Sequence, residues 1–160
     1  MPSQSKNSPI ILGHQQAVFD RLVAIGQACV SLSHENLPVR PRYHSLIIGS
    51  SGTGKTYLAR AVAEALGLAY YYISVSEWIL LGCTGRGAQT TWKSIYHFLL
   101  RANKHPGAVI FLDEVDKLTH DTSWLTHLRV EVFRLLDLHV PLDLVDDTDE
   151  PVNLQHYEDV

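Results

Sequence analysis

The chain has 160 residues, of which 46% are hydrophobic and 19% charged, and a formal net charge of −4. That length suits one domain with a core of its own, and the charge provides no basic stripe for nucleic acid, although it does not exclude nucleic acid held in an oligomeric pore. Two cysteines, Cys29 and Cys83, make no disulfide framework and point to a reducing, cytoplasmic setting.

No apolar run reaches the length of a membrane-spanning helix, and the polar start "MPSQSKNS" is not a secretory signal. Residues 1–9 read as a loose N-terminus. Val18, Leu22, Ile25, Cys29 and Leu32 then recur at helical spacing and predict an amphipathic helix. The segment "SHENLPVRPRYH" (33–44), with two prolines, reads as a loop. Ser45-Leu46-Ile47-Ile48 is a short apolar run, which predicts a buried strand.

"GSSGTGKT" (49–56) follows that run directly. Gly49, Gly52 and Gly54 permit backbone angles that a Cβ resists. With Ser50, Ser51 and Thr53 they form a loop whose N–H groups can cradle phosphates. Lys55 supplies a charge for the β and γ phosphates, and the Thr56 hydroxyl suits Mg²⁺. Leu58, Ala61, Val62, Ala65 and Leu66 give the next segment one apolar helical face, and Gly67 is placed to end it. The helix would aim its positive dipole end at the phosphates. A chance match to this loop pattern is expected in well under about 1 in 100 chains of this length, and the strand–loop–helix order lowers that further.

Beyond the helix, "LAYYYIS" (68–74) is aromatic and β-branched and reads as a second strand. "GCTGRGAQ" (82–89) reads as a glycine-rich loop. Trp92, Ile95, Tyr96, Leu99 and Leu100 predict a helix, and "NKHPG" (103–107) a turn. In "AVIFLDEVDK" (108–117) the uninterrupted run Ala108 to Leu112 predicts a central parallel strand. Asp113 and Glu114 follow at its C-terminal end, where ligands bind in open α/β sheets. Asp113 is placed to hold Mg²⁺ through water, and Glu114 to act as general base on an attacking water. The competing reading is a solvated acidic turn. Leu125, Leu128, Val132, Leu135 and Leu136 predict a further helix over 124–138, and residues 141–160 read as an acidic tail. Nine histidines show neither a His-Cys cluster nor His-Glu-x-x-His spacing, so they read as scattered surface or core residues.

Three segments together resemble the AAA+ ATPase core. "IILGHQQAV" (10–18) resembles the family's adenine-side motif, "GSSGTGKT" its Walker A, and "VIFLDEVDK" (109–117) its Walker B. The Asp-Glu-apolar-Asp-Lys form is similar to the Clp-type unfoldase branch. The resemblance runs from about Ile10 to Leu138. It implies a three-layer α/β/α P-loop NTPase with a mostly parallel sheet, occupying residues 10–140. It also implies ATP and Mg²⁺ as ligands, with Leu12, Gly13 and His14 on the adenine side and Lys55 and Glu114 in catalysis. Partners implied are further copies in a ring and a protein substrate or adaptor.

The chain departs from the pattern in two places. After the helix at 124–138 no further apolar strand with a γ-phosphate-sensing residue follows, nor an arginine finger, nor a helical lid; of a naturally shortened protein and a piece of a longer one, the expectation is the second, an incomplete large subdomain. Arg129 and Arg134 could be asked to serve as fingers, but surface or partner-facing charge suits them better. Where Clp-type unfoldases carry a Gly-aromatic-apolar-Gly pore loop, Gly82-Cys83-Thr84-Gly85 has no aromatic ring, and Cys83 and Thr84 would grip a polypeptide poorly. Cys83 lacks His/Asp support as a nucleophile. Arg86 has two open readings, a contact to phosphate, nucleic acid or a neighbour, and a solvated charge. The expected activity is ATP hydrolysis that remodels a protein partner. The rivals are a nucleotide-dependent binding switch with little turnover and a DNA-linked loader or motor.

Overall fold

A computed structural model describes residues 9–33, 35, 43–83, 87–119 and 123–137. The predicted acidic tail and the loop residues Thr84, Gly85 and Arg86 lie outside the described residues, as does most of the loop predicted over 33–44. A 3₁₀ turn, Gly13–Gln15, leads into α1 (Gln16–Ser33). Then come α2 (Lys55–Leu66), β1 (Ala69–Ser74), α3 (Val75–Cys83) and α4 (Gly87–Ala102). β2 (Ala108–Asp113), a second 3₁₀ turn (Val115–Thr119) and α5 (Ser123–Leu136) complete the order.

β1 and β2 are parallel and in register from Ala69↔Ala108 to Ser74↔Asp113. Strand alternation sends Tyr71, Ile73, Ile110 and Leu112 to one face, where they meet the largest core cluster. That cluster is built from α3, α4 and α5 by Val75, Trp78, Trp92, Ile95, Leu125, Leu128, Val132 and Leu135. The rings of Trp78 and Trp92 meet edge to face, 6.2 Å apart at 86°. The Trp92 indole N–H donates to Glu131 Oε2 at 2.7 Å, so this partly buried polar group of α4 is satisfied from α5. α2 packs against both strands and carries α1 on its outer side. The result is a layered α/β arrangement around a small parallel sheet.

α2, α4 and α5 follow their predicted apolar faces with small shifts, whereas α1 buries none of its residues fully and leaves Val18 43% exposed. On α2 the buried set is Leu58, Ala59, Ala61, Val62 and Ala63, while Ala65 is exposed. Gly67 closes it in the left-handed region at φ 68°. On α4, Phe98 is buried and Leu100 is on the surface.

Two expectations are corrected. Ser45–Ile48 is not a buried strand: the segment makes no ladder with β1 or β2 and leaves Leu46 77% and Ile48 88% exposed. Its sequence suits a strand, but a strand is buried by neighbours on its edges and faces, and none of the described elements supplies them. The described residues of the glycine-rich stretch 82–89 are helical, because Gly82 and Cys83 end α3 and Gly87 to Gln89 begin α4. A helical glycine costs only about 1 kcal/mol, and the tryptophan packing of the two helices outweighs it.

Candidate functional site

α2 begins at Lys55, directly after a loop in which Gly52 and Gly54 both sit at φ 78°. Those left-handed angles make glycine the residue for both places. The loop closes on itself: Thr53 donates from its backbone N–H (3.4 Å) and its hydroxyl (2.8 Å) to Ser50 O. The Lys55 ammonium donates to Gly49 O and Ser50 O, each at 2.9 Å. These carbonyls hold the lysine across the loop mouth, ready to be exchanged for an anion's oxygens.

Beside the loop lies an open, solvent-facing hollow of about 320 Å³, lined by Ile10, Leu12, His14, Gln15, Gly52, Thr53, Gly54 and Tyr57. That volume falls in the range of small-molecule sites. Of the adenine-side candidates, Leu12 and His14 line it, while Gly13 begins the adjacent 3₁₀ turn without reaching it. Two residues not singled out from the sequence build its walls. Tyr57 donates its hydroxyl to Ile10 O at 2.9 Å, tying α2 to the N-terminal segment. Gln15, only 6% exposed, donates from Nε2 to Thr53 O at 2.7 Å. A Cβ on Gly54 would fall 2.7 Å from that same nitrogen.

Asp113, the last residue of β2, meets the loop helix: the Thr56 hydroxyl donates to its Oδ2 at 3.1 Å. Asp113 Oδ1 accepts the Glu114 N–H at 2.9 Å. Glu114 has a φ of 60°, alone among described non-glycine residues in being positive. Such a backbone costs of order 1–3 kcal/mol and collects at functional sites. The exposed Glu114 carboxylate accepts from Ser74 Oγ at 3.4 Å, and Ser74 Oγ in turn accepts the Glu77 N–H at 3.2 Å. Partial burial and the Asp113 charge push the Tyr70 and Tyr72 hydroxyls above the ordinary phenol value, so both keep their protons at neutral pH.

Thr56 and Asp113 come from elements 57 residues apart and place two hard oxygen donors side by side. Hydroxyl plus carboxylate is the donor set Mg²⁺ selects, and the lysine beside them suits the phosphates such a cation accompanies. The predicted residues are thus brought together at one end of the sheet. Arg129 and Arg134 make contacts of another kind: Arg129 donates to Leu118 O at 2.7 Å, and Arg134 pairs with Glu131 on its own helix at 3.4 Å.

A glycine-bent loop heading a helix, with acidic residues at the end of a neighbouring parallel strand, defines a phosphate-loop α/β protein. More narrowly, the chain belongs to the ATPase family associated with various cellular activities (AAA), whose model matches residues 45–132. Over 86 residues it is 40% identical to the ATP-dependent zinc metalloprotease FtsH of Paraburkholderia phymatum, covering 54% of this chain and 13% of that protein. It is 41% identical over 71 residues to the ATP-dependent zinc metalloprotease FtsH 3 of Petrotoga mobilis, covering 44% of this chain and 10% of the other. The chain therefore spans about an eighth or less of the length of these relatives. No solved structure matches it significantly. Among the described residues, no helix is long and apolar enough to cross a membrane.

Proposed function

We propose that residues 10–140 form a nucleotide-binding unit that binds ATP with Mg²⁺ and hydrolyses it. The observation that carries this reading is the 3.1 Å contact between Thr56 of the phosphate loop and Asp113 of the strand end. A loop pattern can arise by chance, but a loop whose threonine meets a strand-end carboxylate makes a metal–phosphate site. In this reading residues 49–56 wrap the phosphates, and Leu12 and His14 border the base. Lys55 neutralises the β and γ oxygens, and Thr56 and Asp113 hold the cation. Bound Mg²⁺ would supply further charge neutralisation on the transferred phosphoryl group. Glu114, on its constrained backbone and lightly held by Ser74, is free to swing and take the proton of an in-line water. ADP and phosphate are the products.

The same reading makes the chain part of an ATP-driven machine that remodels a protein partner as a ring of copies. Family membership and the relatives' ATP-dependent protease names support this. The Asp-Glu-Val-Asp-Lys form of residues 113–117 also suits a Clp-like unfoldase, and protein remodelling is common ground between the two. A neighbouring copy would supply the arginine that stabilises the transition state, a term worth roughly 10³–10⁵-fold where it operates.

The test uses two variants. Lys55→Ala is expected to lose tight ATP binding in calorimetry. Glu114→Gln keeps shape and hydrogen bonding, so it should bind ATP like the wild type yet release phosphate about 10²–10⁴-fold more slowly. Wild-type ATP affinity in Lys55→Ala would refute the loop's role, and undiminished turnover in Glu114→Gln would refute the base.

A further inference from the structure

Beside Asp113 stands a side chain that the proposed chemistry leaves unused. Tyr72 lies on β1, opposite Phe111 in the strand register, with its ring 6.2 Å from that of Phe111. It is 43% exposed, so its packing alone does not account for its position. Its hydroxyl sits 3.4 Å from Asp113 Oδ2, the same oxygen that Thr56 reaches at 3.1 Å. Two residues along the same strand, the Ser74 hydroxyl lies 3.4 Å from Glu114 Oε2. A row of β1 hydroxyls therefore reaches both carboxylates, Tyr72 to Asp113 and Ser74 to Glu114.

The acceptor arithmetic on Asp113 gives this row a use. An ionised carboxylate offers about four lone-pair sites. The Glu114 N–H takes one on Oδ1, and the Thr56 and Tyr72 hydroxyls take two on Oδ2. About one site remains, on Oδ1. In the proposed reading Thr56 itself binds the cation, so the Glu114 N–H on Oδ1 and the Tyr72 hydroxyl on Oδ2 are the two donors outside that binding that keep the carboxylate from rotating about its Cβ–Cγ bond. The remaining lone pair is thereby aimed in a fixed direction, as groups around a metal ligand commonly arrange.

We infer that Tyr72 is a positioning residue, which fixes the Asp113 carboxylate through its hydroxyl and so tunes the affinity of the site for Mg²⁺. The inference rests on the proposal that Thr56 and Asp113 hold that cation. Tyr72 touches neither phosphate nor water in this role; it acts through Asp113. The Phe111 ring packs on the tyrosine ring, so removal of the hydroxyl alone leaves the local packing in place.

The experiment is Tyr72→Phe in the 160-residue chain, with binding of a non-hydrolysable ATP analogue followed as Mg²⁺ is titrated from an EDTA baseline. Thermal melting is recorded alongside. The wild type should gain affinity as Mg²⁺ rises. In the variant the half-saturating Mg²⁺ concentration should increase by about tenfold, at the low end for a group that orients a metal ligand. The analogue's affinity in EDTA and the melting temperature should stay at wild-type values. An unchanged Mg²⁺ midpoint would overturn the inference while leaving the metal site intact. A parallel fall in EDTA affinity or melting temperature would assign the hydroxyl to packing and overturn it equally. A wild type that gains nothing from Mg²⁺ would overturn the metal site itself.

Discussion

Gly52 and Gly54 share a backbone angle, φ 78°, but not surroundings, and the difference lets the loop's tie to the N-terminal segment be measured. A Cβ at Gly52 would meet nothing within 4 Å. Gly52→Ala should therefore cost only the left-handed conformation, about 1–2 kcal/mol. A Cβ at Gly54 would meet Gln15 Nε2 at 2.7 Å. The glutamine end can move aside, but then Thr53 O loses its 2.7 Å donor, a partly buried bond worth about 1 kcal/mol. Gly54→Ala should thus cost about 2–3 kcal/mol, the sum of both terms. In a Gln15→Ala background the second term is already gone, so the added cost of Gly54→Ala should fall to that of Gly52→Ala. Urea unfolding of the wild type and the four variants, the Gln15→Ala/Gly54→Ala double variant included, gives the full cycle. Equal costs at the two glycines, or a Gly54→Ala cost indifferent to Gln15, would refute the argument that Gln15 braces the phosphate loop.

Trp92→Phe keeps an aromatic ring but removes the N–H that reaches Glu131 Oε2 at 2.7 Å, leaving a carboxylate short of a partner. A hydrogen bond to a charged group is worth about 1.5–3 kcal/mol, and the urea midpoint should fall accordingly; a loss below about 1 kcal/mol would show that Glu131 turns to water at no cost. At alkaline pH, the raised values of Tyr70 and Tyr72 mean that folding favours their protonated forms. Their ionisation therefore opposes folding: stability is undiminished below about pH 10 and falls as pH rises through the folded-state values. The Tyr70→Phe/Tyr72→Phe double variant should flatten that limb of a stability–pH curve, and a limb as steep as the wild type's would contradict it.

How much of this could be read from the chain depends on what each feature requires. The phosphate loop and the two acidic residues are contiguous stretches, and each keeps its meaning wherever the strands lie. The helical faces of α4 and α5 are also local, since Trp92, Ile95, Leu125, Leu128 and Val132 repeat at helical spacing and are buried as that spacing implies. Ser45–Ile48 depends instead on neighbours: the same four residues would be core beside a strand and are surface without one. α3 escaped notice because Val75–Cys83 is apolar on nearly every side, so no stripe distinguishes it, and its glycine and cysteine end resembles a turn.

The parts of the site that the sequence did not reveal are those built by pairing across elements. Tyr72 and Ser74 belong to an aromatic, β-branched run whose composition announces a strand and nothing else. Their bearing on Asp113 and Glu114 follows from the parallel register, which sets Ser74 level with Asp113. Side chains two apart on one strand share a face, so once the register is known, both hydroxyls must rise on the side where the Asp113 carboxylate emerges. Gln15 is a similar case, a polar residue in a segment noticed for its glycine, whose use depends on a loop 38 residues away. The contiguous motifs locate the phosphates and the cation. The side chains that hold those motifs in place come from the adjoining strand and the N-terminal turn, so mutations there should change the site while every motif residue stays as it is.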